Sequence, residues 1–193
     1  DYVVTKIPKF TFEKFPGANS KLTTQMKSVG EAMAFGRNIQ ESLQKAIRSL
    51  ENNHDGFTDI VIDEDFDDHL VNPNPDRLLY VGQAFRESYS LEKIYELTKI
   101  DPWYLAYIED LISTESKIID EGLDSIDRNM MHSLKAKGFS DARLAKLLSV
   151  DENEIRIISF VENFGRDDMD HSDYVNVIEY FYVKFARILK HCA

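Results

Sequence analysis

Between residue 76 and about residue 160, helix-start signals recur at short intervals, and each precedes apolar residues at helical spacing. Asp101-Pro102 is the clearest signal, because Asp favours the N-cap and Pro favours the first helical turn. Gly138 stands where a C′ glycine would end a helix. The pattern predicts a domain of short amphipathic helices over 76–160. The remaining predicted N-caps are Asp76, Ser90, Asp127 and Ser140.

The longest of these helices is predicted to run from Asp101 to about residue 120. Its apolar side chains recur mostly every three or four residues, which places them on one face of a helix. We therefore expect this face to lie in the core of the helical domain. The residues of the predicted core stripe are Leu105, Ile108, Leu111, Ile112 and Ile119.

The beginning of the chain has a different pattern. Residues 2–12 are rich in β-branched and aromatic side chains and predict a strand. Residues 29–36 predict a second strand, and Asn38 with Glu41 three positions later predicts a capped helix. Two strands and one helix are too few to close a stable domain alone. The expected fold class is therefore mainly α, with a short strand-and-helix piece of a larger module (1–50) before an all-helical domain.

A sharp change of charge separates these two regions. Residues 1–50 carry eight basic and four acidic side chains, whereas residues 51–75 carry eight acidic side chains and neither Lys nor Arg. Mutual repulsion of that many carboxylates opposes compact packing. We therefore predict that 51–75 is a solvated, mobile acidic linker. A divergent tail, 161–193, follows the helical domain, and its apolar period from Asp173 onward predicts a helix.

Composition restricts the partners and the compartment. The net charge of −11 opposes binding to nucleic acid, which requires cations against the phosphates. The sequence has no run of about 18 apolar residues, so we expect no membrane span. The lone cysteine, Cys192, fits a reducing cytoplasm. Because the chain begins at Asp1 rather than Met, we expect it to be a segment of a longer protein.

Two patterns suggest binding sites, and each has a plainer alternative. Residues 127–158 have the order of a helix-turn-helix DNA reader, or of a helix pair in an ordinary core. The recognition segment of such a reader, 151–156, would set three carboxylates against one arginine. A run of four aspartates suggests a calcium loop, or a solvated charge run, since the sixth position lacks the glycine of an EF-hand. Those aspartates are Asp63, Asp65, Asp67 and Asp68.

Cations and aromatic residues leave two further questions open. Three cations could help to hold phosphate or could simply be solvated. An aromatic cluster at the start of the longest helix could lie in the core or in an interface, where such rings are common hot spots. The cations are Lys27, Arg37 and Lys45, and the aromatic residues are Trp103, Tyr104 and Tyr107.

Several stretches resemble one known family. Residues 1–15 (DYVVTKIPKFTFEKF) and 22–47 (LTTQMKSVGEAMAFGRNIQESLQKAI) look like the end of the first ATP-grasp module of carbamoyl phosphate synthetase large subunits. Residues 76–158 resemble the helical oligomerization domain that follows it in that family. The motifs that carry this second resemblance lie at 76–77 (DR), 100–105 (IDPWYL) and 137–145 (KGFSDARLA).

The resemblance implies a reaction for the complete family enzyme. That enzyme makes carbamoyl phosphate from ATP, bicarbonate and ammonia, which a glutaminase small subunit releases from glutamine. It uses Mg²⁺ or Mn²⁺ and K⁺, since metal ions neutralise the charge that develops in phosphoryl transfer. Its product feeds arginine and pyrimidine synthesis.

The resemblance also implies that the family's nucleotide- and metal-binding residues lie before Asp1. We therefore assign no catalytic, cofactor-binding or metal-ligating residue to this segment, and leave its own activity open. The expected function is structural linkage and homo-oligomerization, with the rest of the large subunit and the glutaminase small subunit as partners. The alternatives are a helix-turn-helix-like DNA-binding protein and a free-standing scaffold protein.

Overall fold

The computed structural model describes residues 1–14 and 17–164, so the predicted tail helix after Phe164 lies outside it. In the described part the chain is mainly α-helical with one two-stranded antiparallel sheet, which confirms the predicted fold class. The strands are β1 (Val3–Lys9) and β2 (Gly30–Gly36), and the helices are α1 (Ile39–Ser49), α2 (Phe66–Val71), α3 (Arg77–Arg86), α4 (Leu91–Thr98), α5 (Pro102–Glu121), α6 (Arg128–Ala136), α7 (Asp141–Leu148) and α8 (Glu152–Phe164).

The two strands form a hairpin with one covered face. They pair antiparallel, with Thr5 opposite Ala34, and successive side chains point to opposite faces. On one face Ala32 and Ala34 are buried, and Thr5 contacts Ser42 of α1 at 2.7 Å between the hydroxyl oxygens. We call β1, β2 and α1 the hairpin unit, and α3 to α8 the helical unit. The outer face of the hairpin is exposed and carries Tyr2, Val4, Met33 and Phe35.

The predicted helix starts are confirmed, with one difference. All the predicted N-cap residues except Asp76 accept a hydrogen bond from a backbone N–H of the first turn, which satisfies a donor that has no partner inside the helix. Helix α3 still begins directly after Asp76, although that side chain makes no capping bond. The accepting residues are Asn38, Ser90, Asp101, Asp127 and Ser140.

The acidic segment 51–75 is packed, so the prediction of a solvated linker is wrong. Most of its carboxylates are exposed, but Phe57, Phe66 and Leu70 lie in the core, the last two on α2. Phe57 fits so closely against α3 that a Cβ atom on Gly82 would stand 2.7 Å from its ring. The burial of these three apolar side chains outweighs the repulsion between the surrounding charges. Their spacing is irregular, so no periodic pattern in the sequence predicts their burial.

Helix α5 lies at the centre of the helical unit. It packs against α3, α4 and α7, and its buried stripe includes Leu105, Ile108 and Leu111 as predicted. Ile119 is exposed instead of buried, because the stripe continues from Ile112 in steps of three residues and reaches Ile118. In the described part of the chain, no helix is both long enough and apolar enough to cross a membrane.

The buried role of Phe57 can be tested by substitution. We expect Phe57→Ala to lower the free energy of unfolding by about 3–5 kcal/mol, because it removes a buried ring and leaves a cavity. Val61→Ala is the control in the same segment, since Val61 is 87% exposed and its loss should change stability by less than ~0.5 kcal/mol. Urea denaturation measures the free energy of unfolding of both variants. Equally small changes for the two would indicate that the segment is a solvated linker after all.

Candidate functional site: the junction of the hairpin and helical units

The carboxyl end of α6 meets α1, and this contact joins the two units. The last carbonyls of a helix have no partner within the helix and need donors from elsewhere. Three side chains of the hairpin unit supply those donors, so the polar helix end is covered without losing hydrogen bonds. We call these bonds the junction cap. They are Asn38 Nδ2 to Ala136 O at 2.9 Å, Gln44 Nε2 to Lys137 O at 3.0 Å and Arg48 Nη1 to Gly138 O at 2.7 Å.

Gly138 allows α6 and α1 to approach this closely. Its φ of +89° lies in the left-handed region, and it follows the C-cap Lys137 at the predicted C′ position. A Cβ atom here would stand 2.8 Å from Glu41 Cα and 3.1 Å from Glu41 O, which is closer than such atoms pack. Glycine is therefore required both by the backbone conformation and by the contact with α1.

Asp110 extends the junction onto α5. Its carboxylate accepts a hydrogen bond from Gln40 Nε2 of α1 at 2.5 Å and pairs with Lys137 Nζ at 2.7 Å. Lys137 Nζ also donates to Thr114 Oγ1 at 2.8 Å, one turn further along α5. The hairpin unit is thus bonded to two helices of the helical unit, which restricts rotation about the junction.

A buried ion cluster lies at the centre of the helical unit. Arg143 Nε and Nη2 donate to the two oxygens of Glu115 at 2.8 and 2.9 Å, and Arg86 Nη2 donates to Glu115 at 2.6 Å. Glu115 and Arg143 are each only 2% exposed. Bidentate pairing offsets the desolvation of these charges, whereas removal of one partner would leave the others uncompensated. One carboxylate therefore ties α3, α5 and α7 together.

Two carboxylates of the acidic segment complete the ion cluster. Asp59 Oδ1 lies 3.2 Å from Arg86 Nε, and Asp55 Oδ1 lies 3.7 Å from Arg143 Nη1. Lys146 Nζ forms an ion pair with Asp55 Oδ2, and neither buried oxygen of Asp55 accepts a hydrogen bond from the described residues. The cluster thereby fixes the position of the segment that connects the hairpin and helical units.

Burial and charge act in opposite directions on the two arginines of this region. Burial lowers the pKa of Arg143, but hydrogen bonding to Glu115 and the charges of Glu115, Asp59 and Asp55 raise it above its ordinary value overall. For Arg48, burial lowers the pKa and only the charge of Asp55 opposes it. Since arginine stays protonated in proteins, Arg48 brings a fixed positive charge to the carbonyl end of α6.

Two of the three cations considered for phosphate binding, Lys45 and Lys27, bind groups close to them in the sequence. Lys45 Nζ pairs with Glu41 Oε1 at 2.5 Å, and this hydrogen bond is the main cause that lowers the pKa of Glu41. The Arg37 backbone N–H also donates to Glu41, at 2.7 Å. Lys27 Nζ donates to two backbone carbonyls of its own loop, those of Asn19 and Lys21, at 2.9 and 2.6 Å. The phosphate interpretation therefore gains no support.

The structure gives the calcium-loop interpretation no support. Within residues 1–14 and 17–164, no group of three or more His, Cys, Asp or Glu side chains is placed to hold a metal ion. The carboxylates of the aspartate run have separate partners: Asp67 accepts from the Tyr89 hydroxyl at 2.9 Å, and Asp68 accepts from Asn72 Nδ2 at 2.6 Å.

Helices α6, α7 and α8 follow one another as in a helix-turn-helix protein, but their described surface is not suited to DNA. Asp151, Glu152 and Glu154 are exposed at the start of α8. Arg156 pairs with Glu152 and lies 3.8 Å from Asp141, so its charge is compensated within the protein. Phosphates would meet mainly carboxylates, and counterion release could not drive binding.

The aromatic cluster lies at the surface. Trp103 and Tyr104 are 52% and 50% exposed, and Tyr107 is half-buried, because all three precede or flank the stripe that starts at Leu105. The core interpretation is therefore wrong for Trp103 and Tyr104. The interface interpretation stays a prediction.

Sequence reasoning found Asn38 and Gly138 through their local roles but missed their contact across the junction. Gln44 and Arg48 gave no signal, because polar residues on a helix are usually solvated. Glu115 did give one: it stands three residues from both Ile112 and Ile118, at an inward helical phase. A charged residue at such a phase predicts a buried partner of opposite charge.

Comparisons with known proteins identify relatives of the chain. Residues 31–162 match the family model described as the oligomerisation domain of the carbamoyl-phosphate synthetase large chain. The chain is 55% identical over 162 residues to the carbamoyl phosphate synthase large chain of Pseudomonas aeruginosa, and 49% identical over 187 residues to that of Neisseria meningitidis serogroup A.

Both alignments cover most of this chain but only a small part of each relative. They include 81% and 94% of this chain, but the chain spans only 15% and 18% of the length of these relatives. The family model covers all of α1, all but the first residue of β2 and the helical unit except for the last two residues of α8, and therefore the whole junction. The comparisons favour a large-chain segment over the DNA-binding module and the free-standing scaffold.

Gly138→Ala tests the junction. We expect it to lower the free energy of unfolding by roughly 3–5 kcal/mol, since positive-φ strain and overpacking against Glu41 add. Gly30→Ala is the control, because a Cβ atom at Gly30 meets nothing within 4 Å. Its effect on urea denaturation should stay within ~0.5 kcal/mol. If Gly138→Ala lowers the free energy of unfolding by only about 1 kcal/mol, the cost of a positive φ alone, then α1 does not contact the backbone at Gly138.

Proposed function

The chain belongs to the carbamoyl-phosphate synthetase large-chain family, and we propose that it is a joint and assembly segment within such a large chain. Its hairpin unit attaches to the module before it, its helical unit associates with other copies, and the junction holds the two in a defined orientation. The proposal assigns residues 1–50 to the end of the preceding module, residues 51–75 to the connection, residues 76–160 to the oligomerization domain and residues 161–193 to a divergent tail.

The junction cap is the observation that carries the proposal. Three donors from one unit satisfy three consecutive carbonyls of the other, and Gly138 allows backbone contact between them. Regions that move easily have few buried contacts and exposed backbone hydrogen bonds. A covered helix end with its carbonyls satisfied is instead suited to transmit orientation from one unit to the next.

The outer face of the hairpin supports the attachment role. A two-stranded sheet is at best marginally stable alone, and this one leaves Tyr2, Val4, Met33 and Phe35 exposed on its outer face. Tyr2 and Phe35 contact each other with ring centroids 5.8 Å apart. We place the rest of the first ATP-grasp module on this face, in the large part of the relatives that this chain does not span.

The chemistry of the parent protein belongs to the same proposal. We infer that the whole large chain makes carbamoyl phosphate from bicarbonate and glutamine-derived ammonia in the cytoplasm, using ATP, Mg²⁺ or Mn²⁺ and K⁺, with a glutaminase small subunit as partner. The binding groups for nucleotide and metal are assigned to the remaining length of that protein. The role of this segment is to brace and assemble the parts that carry them.

Sedimentation velocity tests the assembly role. We expect the isolated chain to form dimers or larger species as its concentration rises. Because each copy has a net charge of −11, added salt should strengthen this association by screening the repulsion between copies. A single monomeric species at every soluble concentration and at both low and high salt would contradict the proposal.

A further inference from the structure

The start of α5 presents an aromatic cluster that no other part of the described chain covers. Trp103 packs edge-to-face with Tyr104 and with Tyr107, at 4.9 Å between ring centroids in both pairs. Trp103 and Tyr104 each keep about half of their surface in contact with solvent. We call these three residues the aromatic patch.

The aromatic patch is preorganised for binding. Its rings hold one another in place, so a partner would immobilise few additional side-chain rotamers on contact. Trp and Tyr are the residue types most enriched among those that dominate the energy of protein interfaces. An aromatic ring can bury about 150–250 Å², so these rings can provide the apolar centre of an interface. A stable interface buries about 800 Å² on each partner, so the surface around the rings must form its rim.

Two carboxylates close to the aromatic patch have local partners. Asp101 accepts a hydrogen bond from the Trp103 backbone N–H and lies at the positive end of the α5 dipole. Asp110, one helical turn beyond Tyr107 on the same side, is paired with Lys137 at 2.7 Å. Two copies of a chain with a net charge of −11 repel each other over most of their surface, so an apolar patch is where they can meet.

Other exposed apolar residues are less suited to contact with a second copy. Val61 and Ile62 stand between Asp59 and the aspartates that begin at Asp63, and two such surfaces would repel each other. Ile157 lies on α8, whose first turn is acidic. The outer face of the hairpin is assigned above to the preceding module, whereas the aromatic patch has no such assignment.

We propose that the aromatic patch is the hot spot of a symmetric contact between two copies of this chain. The inference rests on the proposed self-association and adds the surface that makes it. In such a contact the same patch is used on both copies, so Trp103 of each copy becomes buried against rings of the other. The partner is a second copy rather than a proline-rich or nucleic-acid ligand, because the matched family model describes an oligomerisation domain.

Trp103 is the only tryptophan in the chain, so its fluorescence reports on this patch alone. We expect its emission to shift to shorter wavelength, and acrylamide quenching to decrease, over the same concentration range in which sedimentation detects association. Association without any change in Trp103 emission or quenching would overturn the assignment of the patch but leave self-association intact. A monomer at every concentration would overturn both.

Matched variants separate the patch from the rest of the surface. Trp103→Ala and Tyr107→Ala should each weaken association by about tenfold or more, as expected for hot-spot residues. Phe35→Ala is the control, since Phe35 is 58% exposed and lies on the outer face of the hairpin. Its dissociation constant should match that of the unmodified chain. Far-UV circular dichroism and urea denaturation check that each variant is folded, and Tyr107→Ala retains the fluorescent reporter.

The ranking of the variants decides the outcome. If Phe35→Ala weakens association and the two patch variants do not, the copies meet through the hairpin face and the proposal is wrong. If all three leave association unchanged, a different surface makes the contact and the proposal is equally wrong.

Discussion

The unsatisfied carbonyls at the end of α6 are the constraint on which the arrangement of the two units depends. A helix end without hydrogen-bond donors cannot be covered by another element at low energetic cost. The hairpin unit can cover this one because Asn38, Gln44 and Arg48 donate to it, and because Gly138 leaves room for the α1 backbone. The polar groups that would otherwise keep the units apart are thus the groups that join them.

The buried ion cluster extends this principle into the helical unit. Glu115 holds Arg143 and Arg86, and these arginines in turn hold Asp55 and Asp59 of the connecting segment. Buried ion pairs contribute little net stability compared with apolar packing, but they offset the desolvation of their charges only when the paired groups are well aligned. We attribute to this cluster the fixed path of a segment whose composition favours solvation. The path matters because it spans the distance between the two units.

Local signals in the sequence predicted much of the fold, and non-local pairings explain the rest. Capping residues such as Ser90 and Asp127 act within one turn of their helix, and the C′ glycine at position 138 acts on its own backbone, so their roles could be predicted. The burial of Phe57 depends on its fit against α3, and the Glu115 pair joins residues 28 positions apart. A window of 11–18 residues, over which helical periodicity is recognised, does not contain both partners. The relation between Gly138 and Glu41 likewise exists only once the two units are folded together.

Native-state hydrogen exchange tests most directly whether the junction makes the two units one cooperative body. We expect the slowest amides of α1, near Ala46 and Ile47, to open with the same free energy as those of α6 and α7, within about 1 kcal/mol, and to respond equally to low concentrations of denaturant. If α1 opens at markedly lower free energy while α6 and α7 stay protected, the hairpin unit is loosely attached and the account of a rigid joint is contradicted.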